Sequence, residues 1–392
     1  MERHERLPGR VREADLRLLV TGAEGLLGSN LAAAAAQQSW SVLGTWRGTP
    51  VSLLGAGTAP LEVADRHACI ALAEEFEPDV VVHAGAESSP GRLEHEPRLA
   101  VLNRLGAEHT LAAARTVRAR YVLVSCDLVF SGQRPSGECW AEEDPTEPVN
   151  ALGRSLLERE RLTREYLGSW LITRPADVYG VNLSIPGATP SEPGPIVGGN
   201  GASAAALEAA LTRARHVWER SGPPLRLLAR LRAGQPLAAP PEIRRSPTYA
   251  WDYAQRVCEL VGEECEGVYN TAGPAILGRL SQLRLLARVF GCDLRLVREG
   301  SLAEYLSACD EPPDVELPLN TALCDDRASF ALGRPAVDPF TGHRLMRRQL
   351  ERLLGGLGPW WEGVPPLPPR RAIPAEPAAP VPVPRPLRSA LG

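Results

Sequence analysis

Leu16-Arg-Leu-Leu-Val-Thr-Gly-Ala-Glu-Gly-Leu-Leu-Gly28 is the stretch from which the fold is read. Its first five residues form a short apolar run suited to a buried strand. Gly22, Gly25 and Gly28 follow at G-x-x-G-x-x-G spacing, and the alanine-rich residues 29–38 are good helix formers. Glycines let the backbone turn tightly and let a pyrophosphate approach. The unbonded N–H groups of the new helix then face the negative charge. Spacing alone is a weak signal, but a strand before it and a helix after it make a dinucleotide-binding signature. The residues assigned to the cofactor in this turn are Gly22, Gly25, Leu26, Leu27 and Gly28.

Working outward, Ser41-Val-Leu-Gly-Thr-Trp-Arg47 reads as the second strand. NAD sites usually place a carboxylate near the end of this strand, where it bonds the ribose hydroxyls. Arg47 stands there instead, and its guanidinium fork suits a 2′-phosphate. The expected cofactor is NADP, with NAD as the alternative. Residues 61–65 read as a short strand, 66–76 as a helix and 79–86 as a strongly apolar strand. Residues 97–118 read as a helix, and 119–124 as a strand ending at Ser125-Cys126-Asp127. Strands alternating with helices predict an α/β fold, a doubly wound parallel sheet of the Rossmann type. Ligands bind such sheets at the carboxyl ends of the strands. Residues 22–28, 83–87 and 125–130 should therefore line one crevice, with Ala84 and Gly85 joining the cofactor-binding set.

Beyond that sheet the chain reads as an acidic, proline-rich loop (138–148), a helix (150–167) and a strand (171–180). A Gly- and Pro-rich surface loop follows at 182–202. Helices are expected over 203–220, 225–233, up to about 261, 277–290 and 344–354, with a strand and turn at 267–273. The expected division is an N-terminal extension (1–14), a dinucleotide domain (15–180) and a smaller α+β substrate domain (mainly 181–355). The last of these carries an insertion at about 182–222. A tail rich in Pro, Ala and Arg (356–392) is expected to be disordered.

Composition narrows the function. A formal net charge of −4 gives no reason to expect a nucleic-acid partner. The eight cysteines show no C-x-x-C pair, so neither a zinc site nor a disulfide framework is indicated. They read as mostly buried thiols in a reducing cytoplasm. Residues 1–15 are charged and lack the apolar core of a signal peptide. Residues 26–46 are free of charge over a membrane-like length, but a helix and the next strand account for them. All 43 basic residues are arginine. Mechanisms that need a lysine are excluded in their usual form.

Several further landmarks fall in order along the chain. They are Val122-Leu-Val-Ser-Cys-Asp-Leu-Val-Phe130, Asp144-Pro-Thr-Glu-Pro148, Gly153-Arg-Ser155 with Glu160, Arg174 with Val178-Tyr-Gly180, Ser246-Pro-Thr-Tyr249 and Pro318-Leu-Asn-Thr-Ala-Leu323. With the glycine turn, these resemble the extended short-chain dehydrogenases, most closely the dTDP-4-dehydrorhamnose reductase family, over residues 16–354. The resemblance implies a nicotinamide cofactor in the N-terminal domain and a nucleotide-linked sugar in the C-terminal one. It also implies a Tyr-x-x-x-Lys pair on one helix face, working with a strand-end Ser or Thr. In this chain Leu152 occupies the tyrosine position, Leu156 the lysine position and Cys126 the hydroxyl position. The family's acid–base route is therefore closed, and no tyrosine in the chain has a basic residue four positions on.

Leu152 and Leu156 have the spacing of an apolar helix stripe, as in ordinary core. The candidates for different chemistry near the strand ends are His83, Glu87, Cys126, Asp127 and Tyr179; Glu87 falls where the family usually has an aromatic residue. Two readings follow. One is a cofactor-binding pseudoenzyme that regulates or scaffolds a protein partner, as a regulatory subunit of methionine adenosyltransferase does within the family. The other is an active NADP-dependent reductase of a 4-keto nucleotide sugar with a rewired proton donor. The insertion, with its Gly198-Gly-Asn-Gly201 run, is expected to serve as a lid or a partner surface. Neither a metal nor a membrane is expected.

Overall fold

The computed structural model describes residues 16–187, 216–217 and 220–355. The N-terminal extension, the 198–201 glycine run, nearly all of the helix expected at 203–220 and the tail lie outside the described residues.

Seven parallel strands form the central sheet. They are β1 (Arg17–Thr21), β2 (Ser41–Trp46), β3 (Gly57–Pro60), β4 (Val80–His83), β5 (Arg120–Val124), β6 (Trp170–Arg174) and β7 (Gly267–Asn270). Their spatial order is β7-β6-β5-β4-β1-β2-β3. The order reverses between β1 and β4, and this is the point where such sheets open a ligand crevice. Alternate side chains of each strand enter opposite layers. Leu18, Val20, Val80, Val82, Val122 and Val124 face one core, and Leu19, Val81, Tyr121 and Leu123 face another. Both faces are covered, so these strands read as unbroken apolar runs.

The helices that frame the crevice are α1 (Leu26–Gln37), α2 (Arg66–Phe76), α3 (Pro90–His95), α4 (Arg98–Val117) and α5 (Ala151–Arg164). The sheet takes its seventh strand from beyond residue 180, and helix Ala250–Gly262 shares the core of α1.

Three expectations need correction. The third strand is Gly57–Pro60, not residues 61–65. Gly57-Thr-Ala-Pro60 pairs with Leu43–Trp46 through its backbone, which an apolar-pattern reading does not detect. The strand read over 171–180 is two strands, Trp170–Arg174 and Val178–Tyr179, broken at Pro175, which has no N–H to donate. Finally, the insertion does not begin as surface loop. Asn182, Leu183 and Ser184 are buried, and Ile185–Pro186 pairs with Val51–Ser52.

The cysteines are corrected too. Cys139 and Cys324 form a disulfide across 185 residues of sequence. Backbone bonds from Trp140 N–H to the Ala322 carbonyl and from Cys324 N–H to the Trp140 carbonyl bring the two segments together. No short-range spacing announces such a pair. The other six cysteines are free thiols, with Cys69, Cys258 and Cys309 buried. Among the described residues no His/Cys/Asp/Glu group is arranged to hold a metal. No described helix is long and apolar enough to cross a membrane.

Candidate functional site

The glycine turn closes against the sheet with no room for side chains. Gly22 sits at φ +71°, and a Cβ there would lie 2.5 Å from the Gly85 Cα. A Cβ on Gly28 would lie 2.2 Å from the Gly22 carbonyl oxygen. These close approaches require glycine. Gly25 is the N-cap of α1 and makes no side-chain cap, and the first turn holds no acidic residue. The helix end therefore presents its N–H groups toward the crevice.

The turn is strapped from behind by the start of the insertion. Asn182 Nδ2 and Ser184 Oγ both donate to the Glu24 carbonyl, at 2.8 and 3.1 Å. The Leu183 N–H donates to Ser29 Oγ, and Asn30 Nδ2 donates to the Val181 carbonyl. A mobile loop does not explain this density of bonds; residues 181–184 form a second layer of the turn.

From this turn a crevice of about 960 Å³ runs across the strand ends. All eight expected cofactor residues line it: Gly22, Gly25, Leu26, Leu27, Gly28, Arg47, Ala84 and Gly85. Arg47 stands at one end, mostly exposed and 3.7 Å from Glu62. Its N–H donates to Glu24 Oε1, and Glu24 Oε2 is buried without a hydrogen-bond partner. The orphaned carboxylate oxygen was not foreseen from sequence, because Glu24 occupies one of the unspecified positions of the G-x-x-G-x-x-G pattern.

At the other end the crevice meets α5. Leu152 and Leu156 line it and are each 5 % exposed. They pack with Phe130, Trp140 and Leu323 in one apolar cluster. The apolar stripe is thus ordinary core on one side and crevice wall on the other. Cys126 also lines the wall. Its Sγ accepts from the Leu128 N–H, and burial together with the Asp127 charge pushes the thiol well above its ordinary pKa. It is no ready nucleophile.

The other candidates are each engaged elsewhere. His83 is fully buried and is not among the crevice-lining residues; its Nδ1 bonds Thr21 Oγ1 at 2.7 Å, and burial followed by the Arg159 charge keeps the ring neutral. Glu87 lines the crevice but pairs with Arg92 and accepts from the N–H groups of Ser88 and Ser89. Tyr179 is buried, stacks on His343 and donates to the Pro339 carbonyl, and burial pushes its phenol well up. Asp127 is held by Thr321 Oγ1 and by Arg245 Nε at 3.2 Å. Burial raises its pKa and Arg245 opposes the rise. A second buried pair, Arg279 with Asp177, lies beside it on the same wall. The structure thus brings Glu87, Cys126, Asp127 and Tyr179 to one crevice and leaves His83 behind it.

Behind the wall, Glu160 of α5 takes a two-point bond from Arg174, at 2.6 and 2.8 Å, and a third from Ser125 Oγ at 2.7 Å. All three residues are buried. This ion pair anchors α5 to the ends of β5 and β6. Arg159, one turn beyond Leu156, also lines the crevice and went unnoticed in the sequence. The missed signal was its place on the Leu152–Leu156 stripe, at i+7 and i+3.

Residues 16–184 match the family model described as the RmlD substrate binding domain. The beta subunit of methionine adenosyltransferase 2 from Xenopus laevis is 33 % identical over 165 residues, 42 % of this chain and 47 % of that protein. dTDP-4-dehydrorhamnose reductase from Streptomyces griseus is 35 % identical over 166 residues, 42 % of this chain and 50 % of that protein. The chain thus spans about half the length of the curated relatives it matches. A crystal structure of dTDP-4-dehydrorhamnose reductase from Bacillus anthracis, in complex with NADP, superposes with a TM-score of 0.64 at 17 % identity. That superposition covers 85 % of this chain and 99 % of that one. The matched segment, the landmark order and the sheet topology agree: over residues 16–184 this chain is similar to the RmlD-like family of extended short-chain dehydrogenases.

Proposed function

We propose that this protein binds NADP in the glycine-lined crevice, keeps a nucleotide-sugar-like site beside it, and acts on a protein partner without running the family's reductase chemistry. The observation that carries this reading is the wall formed by Leu152, Leu156 and Cys126. Two of the three positions have no titratable group, and the third has a thiol that burial holds protonated. Hydride delivery to a sugar carbonyl needs a proton donor of suitable pKa, and the remaining candidates are each committed to other partners.

The residues present fit the cofactor. Gly22 and Gly28 let the turn close tightly backbone against backbone at the mouth of the crevice, and the first turn of α1 faces it uncapped. A nicotinamide cofactor bound here would supply hydride-transfer capacity. Arg47 gives the 2′-phosphate a cation, while Glu24 and Glu62 beside it keep NAD as the weaker alternative. The Asp127–Arg245 and Asp177–Arg279 pairs supply polar contacts for a sugar on the far wall. The B. anthracis relative, crystallised with NADP, supports the cofactor, and the methionine adenosyltransferase relatives, being subunits, support the partner. The cytoplasmic expectation read from the cysteines is opposed by the Cys139–Cys324 bridge.

The test is a pair of measurements on the purified protein. NADPH should raise the melting temperature, and no 4-keto nucleotide sugar should be turned over. NADPH oxidation that disappears in Cys126→Ala, Glu87→Gln or Asp127→Asn would establish the active-reductase reading instead.

A further inference from the structure

Arg159 is 1 % exposed and sits on the crevice-facing stripe of α5, yet it has no counter-ion. Among the described residues no carboxylate lies within ion-pair distance of it. Its hydrogen bonding consists of one long contact, Nη2 to the Val124 carbonyl at 3.5 Å, and its Nε has no partner. The other large buried arginines of the site are treated differently. Arg174 has Glu160, and Arg245 has Asp127 together with the Pro318 and Leu319 carbonyls. A buried guanidinium left this bare is costly unless something completes its bonds.

Direction and place say what would complete them. Helical side chains lean toward the N-terminus of their helix, so Arg159 leans toward Leu156 and the strand ends. The Val124 carbonyl it touches closes β5. The pyrophosphate cradle lies at β1, and Arg47 follows β2 on one side of it. The crevice continues over β4 to β5 on the other side, which is where the second nucleoside of a dinucleotide must lie. Leu152 and Leu156 beside it offer no hydrogen-bond donor.

We propose that Arg159 is a cofactor-positioning residue whose guanidinium bonds the ribose hydroxyl oxygens of the second nucleoside of a bound dinucleotide. The proposal rests on the dinucleotide reading above. It assigns the far half of that site to a residue one turn beyond Leu156.

Two probes separate the halves. NADPH spans the whole crevice, whereas 2′,5′-ADP carries only the half that faces Arg47. In calorimetric titrations of the full chain, Arg159→Met should weaken NADPH roughly ten- to a hundredfold and leave 2′,5′-ADP unchanged. Arg159→Lys, which keeps a cation on a long stem, should recover part of the NADPH affinity. Should the methionine variant fail to fold, the lysine variant makes the same comparison, with NADPH weakened a fewfold and 2′,5′-ADP unmoved. Unchanged NADPH binding in either variant overturns the proposal. So does an equal loss for both probes, because a merely structural arginine would damage the site as a whole. Wild-type protein that binds neither probe overturns the dinucleotide reading itself, and this proposal falls with it.

Discussion

The two walls of the crevice are built differently. At the glycine turn the wall is built from backbone: Gly22 at positive φ, the Gly22–Gly85 contact, and an uncapped α1. On α5, the crevice face carries Leu152 and Leu156 with Arg159 one turn on, while the sheet-facing side holds the buried Glu160–Arg174 pair. Binding geometry is built from backbone, and a change there disturbs the fold. Proton-transfer chemistry is carried by side-chain tips, and these can be replaced by leucine with the helix left in register. A fold can thus lose the second and keep the first.

Three changes would break or sharpen that contrast, the largest first. Glu160→Gln leaves Arg174 buried without its carboxylate and should cost about 3–5 kcal/mol of stability by denaturant unfolding. A loss below about 1 kcal/mol would mean that α5 is not anchored by this pair. Gly28→Ala places a Cβ against backbone at 2.2 Å and should cost about 3 kcal/mol and remove the NADPH-induced rise in melting temperature. If the variant binds NADPH normally, the tight closure of the turn is not what receives the cofactor. Arg47→Ala, at an exposed position beside Glu62, should weaken NADP roughly tenfold at low salt, less as salt rises, and leave NAD unaffected. Equal effects on the two cofactors would place the 2′-phosphate elsewhere.

Much of the binding wall was legible in the sequence. The glycine spacing between a strand and a helix located the crevice, and all eight assigned residues line it. The alternation of apolar runs and helices predicted the parallel sheet, because strands buried on both faces must be apolar throughout. The short strand Gly57–Pro60 was missed because its identity lies in backbone pairing with β2 and not in its side chains. His83, expected at the crevice, lies beneath it because one-residue alternation decides whether a strand-end side chain faces the crevice or the layer beneath.

By itself, then, the sequence determined the fold class, the position of the glycine-turn crevice and the absence of any Tyr-x-x-x-Lys pair. Each of these rests on local periods or on residue identities at fixed spacing. The tertiary structure alone decided the rest. It joined Cys139 to Cys324, bound residues 181–184 to the back of the glycine turn, gave Arg174 and Arg245 their carboxylates and left Arg159 without one. These are contacts between segments distant in the chain. Whether a buried charge is paired depends on which partners folding brings within hydrogen-bond reach, and no spacing along one strand or helix encodes that.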